Sequence, residues 1–270
     1  MDTNLKDRRV LVTGGSSGIG RAMAKVLLAR GAKVVITGRR AGLLDETVTE
    51  LRTISPAVWS VAADVRTPEG RARTLGGALA ALGGLDVLVN NAGGVRAGRL
   101  EATSEEEIAT MIEVDLVAPI LLTRAALPHL RASRAATVVN VTSGIALVGA
   151  PFYATYAAAK AGLAQFGEAL RRELAGEGVH VLTAYPTGTD TPMMRTNRAG
   201  PDLGFAREDA DEVAEAIVAG IETGAIAVVR GGEARLAMVA LNRENPAAVD
   251  ERLAVLKPRL EEAVRDHAAL

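Results

Sequence analysis

Seven short runs of apolar, largely β-branched residues recur along the chain, each closed by a glycine, polar or charged break. They are Arg9–Thr13, Lys33–Thr37, Val58–Ala63, Leu85–Val89, Ala136–Thr142, Val179–Ala184 and Ala225–Val229. Runs this short and this continuously apolar predict buried strands. Helical patterns fill the gaps between them. The first follows Gly20 with Met23, Val26 and Leu27 on one side and closes at Gly31; others cover Ala41–Thr53, Thr67–Leu82, Ser104–Arg131, Ala157–Leu174 and Asp209–Thr223. Ser104-Glu105-Glu106-Glu107 is a capping box at the start of the longest. Strand and helix alternating without a linker predict an α/β protein with one doubly wound, seven-stranded parallel sheet, helices covering both faces.

The pattern changes after Val229. Gly231-Gly232 leads into a helix at Glu233–Leu241, and Asn245-Pro246 caps and starts another, with Leu253, Leu256, Leu260 and Val264 as its apolar stripe. Pro258 falls inside that stripe and is expected to kink or restart the helix. Residues 1–230 therefore read as a dinucleotide-binding catalytic domain and 231–270 as a helical extension, packed on the same domain or on a partner subunit.

Composition narrows the class without naming a function. The 270 residues include no cysteine, carry a net charge of −1 and are 49% hydrophobic but only 3% aromatic, so the core rests on Ala, Val and Leu. A pI near 6.4 gives no case for nucleic acid or an anionic membrane. The absence of thiols rules out disulfides and thiolate metal sites and fits a cytoplasmic protein. The segment from Met1 to Arg9 has no signal-peptide character, and the longest apolar candidate for a span, Leu116–Leu122, ends at Arg124. His129, His180 and His267 are scattered without metal-binding spacing, so no metal is expected.

The chemistry-bearing residues fall at the C-terminal ends of the strands, where open α/β sheets bind ligands. The first strand breaks at Gly14-Gly15-Ser16-Ser17-Gly18-Ile19-Gly20. Glycine permits the turn, lets backbone approach a ligand and lets the helix pack closely, and the helix start offers N–H groups to a pyrophosphate. The second strand ends in Gly38-Arg39-Arg40, where a dinucleotide fold selective for NAD carries an acid. Two guanidinium groups suit a phosphate there, which predicts NADP(H) over NAD(H). Asp64 and Val65 follow the third strand, Asn90-Asn91-Ala92-Gly93 the fourth, Ser143 the fifth and Pro186 the sixth. Tyr156 and Lys160 share one helix face four residues apart. An ammonium beside a phenol favours the phenolate, so Lys160 is expected to draw the Tyr156 pKa down from about 10. Ser143 can add a hydroxyl to the same point.

Thr13-Gly14-x-x-x-Gly18-x-Gly20, Asn90-Asn91-Ala92-Gly93, Ser143 and Tyr156-x-x-x-Lys160 together resemble the short-chain dehydrogenase/reductase family in order and spacing, over roughly Lys6 to Val229. The resemblance implies a Rossmann-like fold and hydride transfer between a nicotinamide and a carbonyl/alcohol pair. Tyr156 would exchange the proton, Ser143 would bind the carbonyl oxygen, and Lys160 would tune Tyr156 and hold the nicotinamide ribose. It further implies that Asp64 and Val65 meet the adenine, that Asn90 to Gly93 line the cofactor, that Pro186 and Gly188 border it, and that Thr191 meets the carboxamide. A homodimer or homotetramer built on the Ser104–Arg131 and Tyr156–Ala175 helices is the implied assembly.

Two places depart from the family pattern. Val114-Asp115-Leu116 puts a carboxylate where the family usually has an asparagine that holds a water in a proton relay to the lysine. Asp115 is assigned that relay role. Pro186-Thr187-Gly188 inserts a threonine where the family reads Pro-Gly, adding a Cβ close to the nicotinamide. Pro192–Arg207, with its glycine and proline breaks, reads as a mobile lid over an apolar pocket of Ile145, Leu147, Val148, Pro151, Phe152 and Tyr153. Arg96 is expected in solvent. A carbonyl reductase is the leading reading. A 3-oxoacyl thioester reductase and a non-catalytic NADP(H)-binding sensor are the alternatives.

Overall fold

A computed structural model describes residues 4–133 and 135–270; residues 1–3, the start of the N-terminal segment discussed above, lie outside the described residues. The strands of the main sheet are β1 (Arg9–Thr13), β2 (Lys33–Gly38), β3 (Val58–Ala62), β4 (Val87–Asn90), β5 (Ala136–Val141), β6 (Val179–Tyr185) and β7 (Ala227–Val229). They lie in the order β3-β2-β1-β4-β5-β6-β7, every pair parallel. The order reverses between β1 and β4, and a crevice opens above that point because successive crossovers leave in opposite directions.

The continuous apolar runs are explained by the two faces they serve. Val10 and Val12 point to one face, with Met23 and Leu27 of α1 (Gly18–Ala29), Leu44 and Val48 of α2 (Ala41–Leu51) and Ile217 of a later helix, α7 (Ala210–Thr223). Leu11 points to the other, with Leu75 and Ala78 of α3 (Pro68–Leu82), Leu122 and Leu130 of α5 (Ala118–Arg131) and Leu170 of α6 (Ala154–Glu173). Both layers are dry aliphatic packing, which is why so few aromatics suffice.

The long helix expected at Ser104–Arg131 is interrupted. Ser104 caps α4 (Glu105–Ile112) with its capping box complete, and then Glu113–Val117 forms a π turn before α5. Pro119 has no N–H to return to the Asp115 carbonyl four residues earlier, so the α-ladder opens there. The widened turn buries Asp115 completely. The helix α6 starts at Ala154, three residues before the expected Ala157.

Beyond β7, α8 (Gly232–Glu244) and α9 (Pro246–Val264) fold back over the strand ends. Pro258 neither ends nor restarts α9, which runs through it, so the restart allowed by the sequence does not occur. It is exposed, as is Ala254 four residues earlier, whose carbonyl can turn to water instead of losing a bond in a dry interior. Leu260 and Val264 of α9 pack against Val95, Tyr153, Ala199 and Leu203. No helix among the described residues is long and apolar enough to cross a membrane.

Candidate active site

The crevice at the switch point is a cleft running from the glycine turn to Tyr156. Of the residues expected around a cofactor, Gly14, Ser16, Ser17, Gly18, Ile19, Arg39, Arg40, Asp64, Val65, Asn91, Ala92, Gly93, Tyr156, Lys160 and Thr191 line it. The glycine turn is closed on the protein side. Gly14 and Gly18 have φ of 65° and 52°, and a Cβ at Gly14 would come within 2.9 Å of the Ala92 Cα. Ser17 starts α1 without a side-chain cap, and its first turn holds no acid. Those N–H groups are left for an anion in the cleft, which fits a pyrophosphate.

Four expected positions make contacts within the scaffold. A Cβ at Gly20 would lie 2.4 Å from the Gly14 carbonyl oxygen, so Gly20 lets α1 close on its own turn and does not face the cleft. Asn90 is buried and donates to Thr123 Oγ1 and Asn140 Oδ1 at 2.9 Å each, tying β4 to β5 and α5. The Pro186 carbonyl accepts from the Gly144 N–H at 2.6 Å, bracing the Ser143 loop. Gly188 pairs with Arg207, and a Cβ there would meet the Ala206 carbonyl oxygen at 2.8 Å.

At the adenosine end, Arg39 donates to the backbone oxygen of Leu270 at 3.1 Å, and Leu270 lines the cleft. Asp64 is gripped by Arg66, whose Nη2 lies 2.7 Å from Oδ2 and whose backbone N–H bonds Oδ1 at 3.0 Å. The Arg66 hydrogen bond, over the opposing effect of burial, holds the Asp64 pKa below its ordinary value.

At the inner end, Lys160 Nζ lies 2.9 Å from Asp115 Oδ1, with side chains only 5% and 0% exposed. Nζ also donates to the Val141 carbonyl at 3.3 Å and stands 5.7 Å from the Tyr156 ring centroid. The Gly94 N–H bonds Asp115 Oδ1 at 3.3 Å. A Cβ at Gly93 would fall 2.5 Å from Asp115 Oδ1 and 3.2 Å from Lys160 Nζ, so this glycine makes room for the ion pair. Ser143 starts a 3-10 turn and accepts from the Ile145 N–H at 3.3 Å, and it stands close enough to Tyr156 to favour ionisation of the phenol.

The electrostatics correct the expectation for Tyr156. Its pKa is raised, not drawn down: burial is the largest cause, and Asp115 adds to it against the lowering effects of Lys160 and Ser143. Burial raises Asp115 despite its ammonium partner. Burial alone would lower Lys160, but the Asp115 carboxylate leaves it raised. Burial therefore outweighs the ammonium, whose lowering effect Asp115 partly offsets, and the phenol is favoured in its protonated form.

The lid expected at Pro192–Arg207 contains two 3-10 turns, Pro192–Met194 and Pro201–Leu203, and is fastened down. Asn197 Nδ2 donates to the Tyr153 hydroxyl at 2.9 Å, and the Arg198 N–H donates to Ala263 of α9 at 2.9 Å. Ile145, Phe152 and Tyr153 join Tyr156, Met193 and Phe205 in one apolar cluster, without Leu147, Val148 or Pro151. Arg96 is not in solvent: its side chain is 20% exposed and bonds Glu107 at 3.0 Å.

Sequence reasoning missed Arg66, Gly94, Thr142 and Leu270. Arg66 had a signal, an acid two residues before it in a turn. Leu270 had none, standing 231 positions from Arg39.

A glycine turn that opens a cleft at the switch point of a parallel sheet is the plan of dinucleotide-binding α/β proteins. Within that class, residues 8–202 match the family described as short chain dehydrogenase, and the chain belongs to it. It is 35% identical over 191 residues to a short chain dehydrogenase of Pseudocercospora fijiensis, a stretch spanning 70% of this chain and 62% of that protein. Two crystal structures superpose with a TM-score of 0.79, each covering 85% of this chain and 98% of its own. They are a short chain dehydrogenase of Burkholderia cenocepacia in complex with NADP, 31% identical, and a 3-ketoacyl-(acyl-carrier-protein) reductase of Brucella melitensis complexed with NADH, 28% identical.

Proposed function

We propose that the protein is an NADP(H)-dependent carbonyl reductase or alcohol dehydrogenase, with Tyr156 as general acid and base. One observation carries this reading: Tyr156 and the Lys160–Asp115 pair stand at the inner end of the cleft beside an apolar cluster, with Ser143 close enough to act on the phenol. The nicotinamide, when bound, supplies or accepts the hydride. Ser143 donates a hydrogen bond to the substrate carbonyl oxygen, and Tyr156 delivers the proton to it as charge develops. Lys160, held by Asp115 and the Val141 carbonyl, fixes a positive end one helical turn from the phenol and is placed to meet the cofactor ribose. Asp115 positions Lys160 and stands in for the asparagine of the relay. A phenol protonated through neutral pH can supply the proton that reduction of a carbonyl needs.

Arg39 and Arg40 support NADP(H), since Gly38 stands where a ribose-binding acid would. The NADP complex of the Burkholderia protein agrees with this choice, while the Brucella protein carries NADH. Likeness to that Brucella enzyme favours a second reading, a 3-oxoacyl thioester reductase. A sensor that binds without turnover is the least supported, because it has no use for a proton-holding phenol beside a hydroxyl. The same reading makes residues 1–230 the catalytic domain and 231–270 its helical extension, in a cytoplasmic homodimer or homotetramer joined through α4, α5 and α6.

Absorbance of NADPH and of NADH, followed with ketones, aldehydes and a 3-oxoacyl thioester, tests the proposal. Consumption of NADPH with simple ketones is expected. Turnover of the thioester alone moves the assignment to the second reading, and tight NADPH binding with no consumption overturns both.

A further inference from the structure

Most cations around the reaction centre already have an acid. Lys160 pairs with Asp115, Arg96 with Glu107, Arg207 with Asp190 and Arg230 with Glu208. Arg235, on the first turn of α8, is half-buried and has no Asp or Glu in ion-pair range among the described residues. Its polar side-chain contact is Nη2 to the Thr187 hydroxyl at 3.5 Å, the outer limit of a hydrogen bond. Burial is the sole cause acting on its pKa, and it is lowered.

The guanidinium lies across Gly144. A Cβ at that position would stand 3.1 Å from Arg235 Cζ and 3.3 Å from both Nε and Nη2, so glycine beside Ser143 admits the side chain. Gly144 and Thr187 follow Ser143 and Pro186 directly, and the Gly144–Pro186 hydrogen bond joins their loops. The charge is thereby set between the loop that carries the candidate carbonyl-binding hydroxyl and the one that leads into the lid. The α8 N-terminus adds positive partial charge on the same side. Keeping a guanidinium partly out of water without a counter-charge is costly, and the cost is offset when a ligand brings the missing anion.

We propose that Arg235 binds a carboxylate carried by the substrate, which makes oxo acids the substrates of this site in preference to neutral ketones. The proposal rests on the carbonyl-reductase reading for the reaction, but the binding site it describes does not require turnover. Thr187, the departure from Pro-Gly, then has a use: its hydroxyl steadies the guanidinium beside the Ser143 loop.

The test uses a series of (ω−1)-oxo acids, from 4-oxopentanoate to 9-oxodecanoate, and their methyl esters. With NADPH, the acid of fitting length is expected to exceed its ester in kcat/KM by about tenfold or more. Arg235→Gln raises KM for that acid by about 10- to 100-fold and leaves the ester nearly unchanged; Arg235→Lys recovers part of the loss. In parallel, melting of the NADP-loaded protein is followed with each compound. The acids raise Tm more than the esters, and Arg235→Gln abolishes the difference. Equal handling of acid and ester by the parent, in both kinetics and melting, overturns the site, as does an equal effect of the substitution on both. A melting difference that depends on Arg235, with no acid or ester reduced, sinks the reductase reading and leaves the site standing.

Discussion

The wall of the cleft formed by the ends of β1 to β4 rests on close backbone approach clamped by two side chains, whereas the wall formed by the Pro192–Arg207 lid and α9 rests mainly on side-chain packing. In the first, the Thr13 hydroxyl accepts the Asn91 and Ala92 N–H groups at 2.9 and 3.0 Å, and Asn91 Nδ2 returns to the Thr13 carbonyl at 2.9 Å. Around them, glycines stand where any Cβ would collide. In the second, Tyr153 bonds Asn197, stacks on Phe205 with ring centroids 5.7 Å apart and meets the edge of His267. Backbone approach dictates residue type and spacing. Side-chain packing can be met by many sequences, so the substrate wall is free to vary while the cofactor wall is not. The family match ends at residue 202, inside the second wall.

The reacting groups lie where the walls meet, and the largest effect is expected there. Tyr156→Phe should lower kcat for ketone reduction by about 10²- to 10⁴-fold while NADPH affinity, measured by fluorescence titration, stays within a few-fold. Acid should then separate the walls. His267 is 2% exposed, and burial, followed by Arg207 and Arg96, lowers its pKa from 6.5 to about 4. Below pH 6.5 the unfolded chain takes up a proton that the folded chain refuses. Stability is therefore lost as pH falls from 6.5 through about 4, reaching about 3 kcal/mol. Asp86 behaves differently: hydrogen bonds from Arg9 and Ser133 outweigh burial and hold it at about 2, so its contribution persists until pH drops below 3.8. Melting at pH 7 and pH 5 should show the loss in the parent and a flatter response in His267→Gln.

Arg39→Ala should weaken NADPH binding by about tenfold or more and leave NADH nearly unchanged, because the lost partner is a phosphate. The smallest effect belongs to the second wall. Tyr153→Phe leaves the buried Asn197 amide unpaired at a cost of about 1 kcal/mol, and it should raise substrate KM while cofactor affinity holds. If that variant weakened cofactor binding as much as Arg39→Ala does, the division between the walls would be lost.

The same division explains what was legible in the sequence. Apolar runs and breaks placed every strand of the sheet within two residues, since alternating burial on two faces leaves no other pattern. Gly14, Gly18 and Gly93 were readable because only glycine fits them. At Gly20 and Gly188 a short spacing says that a Cβ is excluded, and the structure adds that protein backbone excludes it. The π turn at Glu113–Val117 depends on Pro119 and on Asp115 finding a partner 45 residues away, which no local pattern records. Burial reverses the expected shift of Tyr156, with Asp115 adding to it against the lowering effect of Lys160. Latches such as Tyr153–Asn197 and Arg198–Ala263 join segments whose residue types are common on any surface.

Asp115 is the group whose removal is most telling: its carboxylate pairs with Lys160 and adds to the burial that favours the protonated phenol. The direct test is the pH dependence of kcat/KM for ketone reduction in the parent and in Asp115→Asn. Removing the carboxylate takes away a cause that raises the Tyr156 pKa. The activity of the parent should hold through neutral pH and fall only at alkaline pH, where the phenol ionises, and in Asp115→Asn that fall should move to lower pH. Superimposable profiles, or a fall displaced to higher pH, would contradict it.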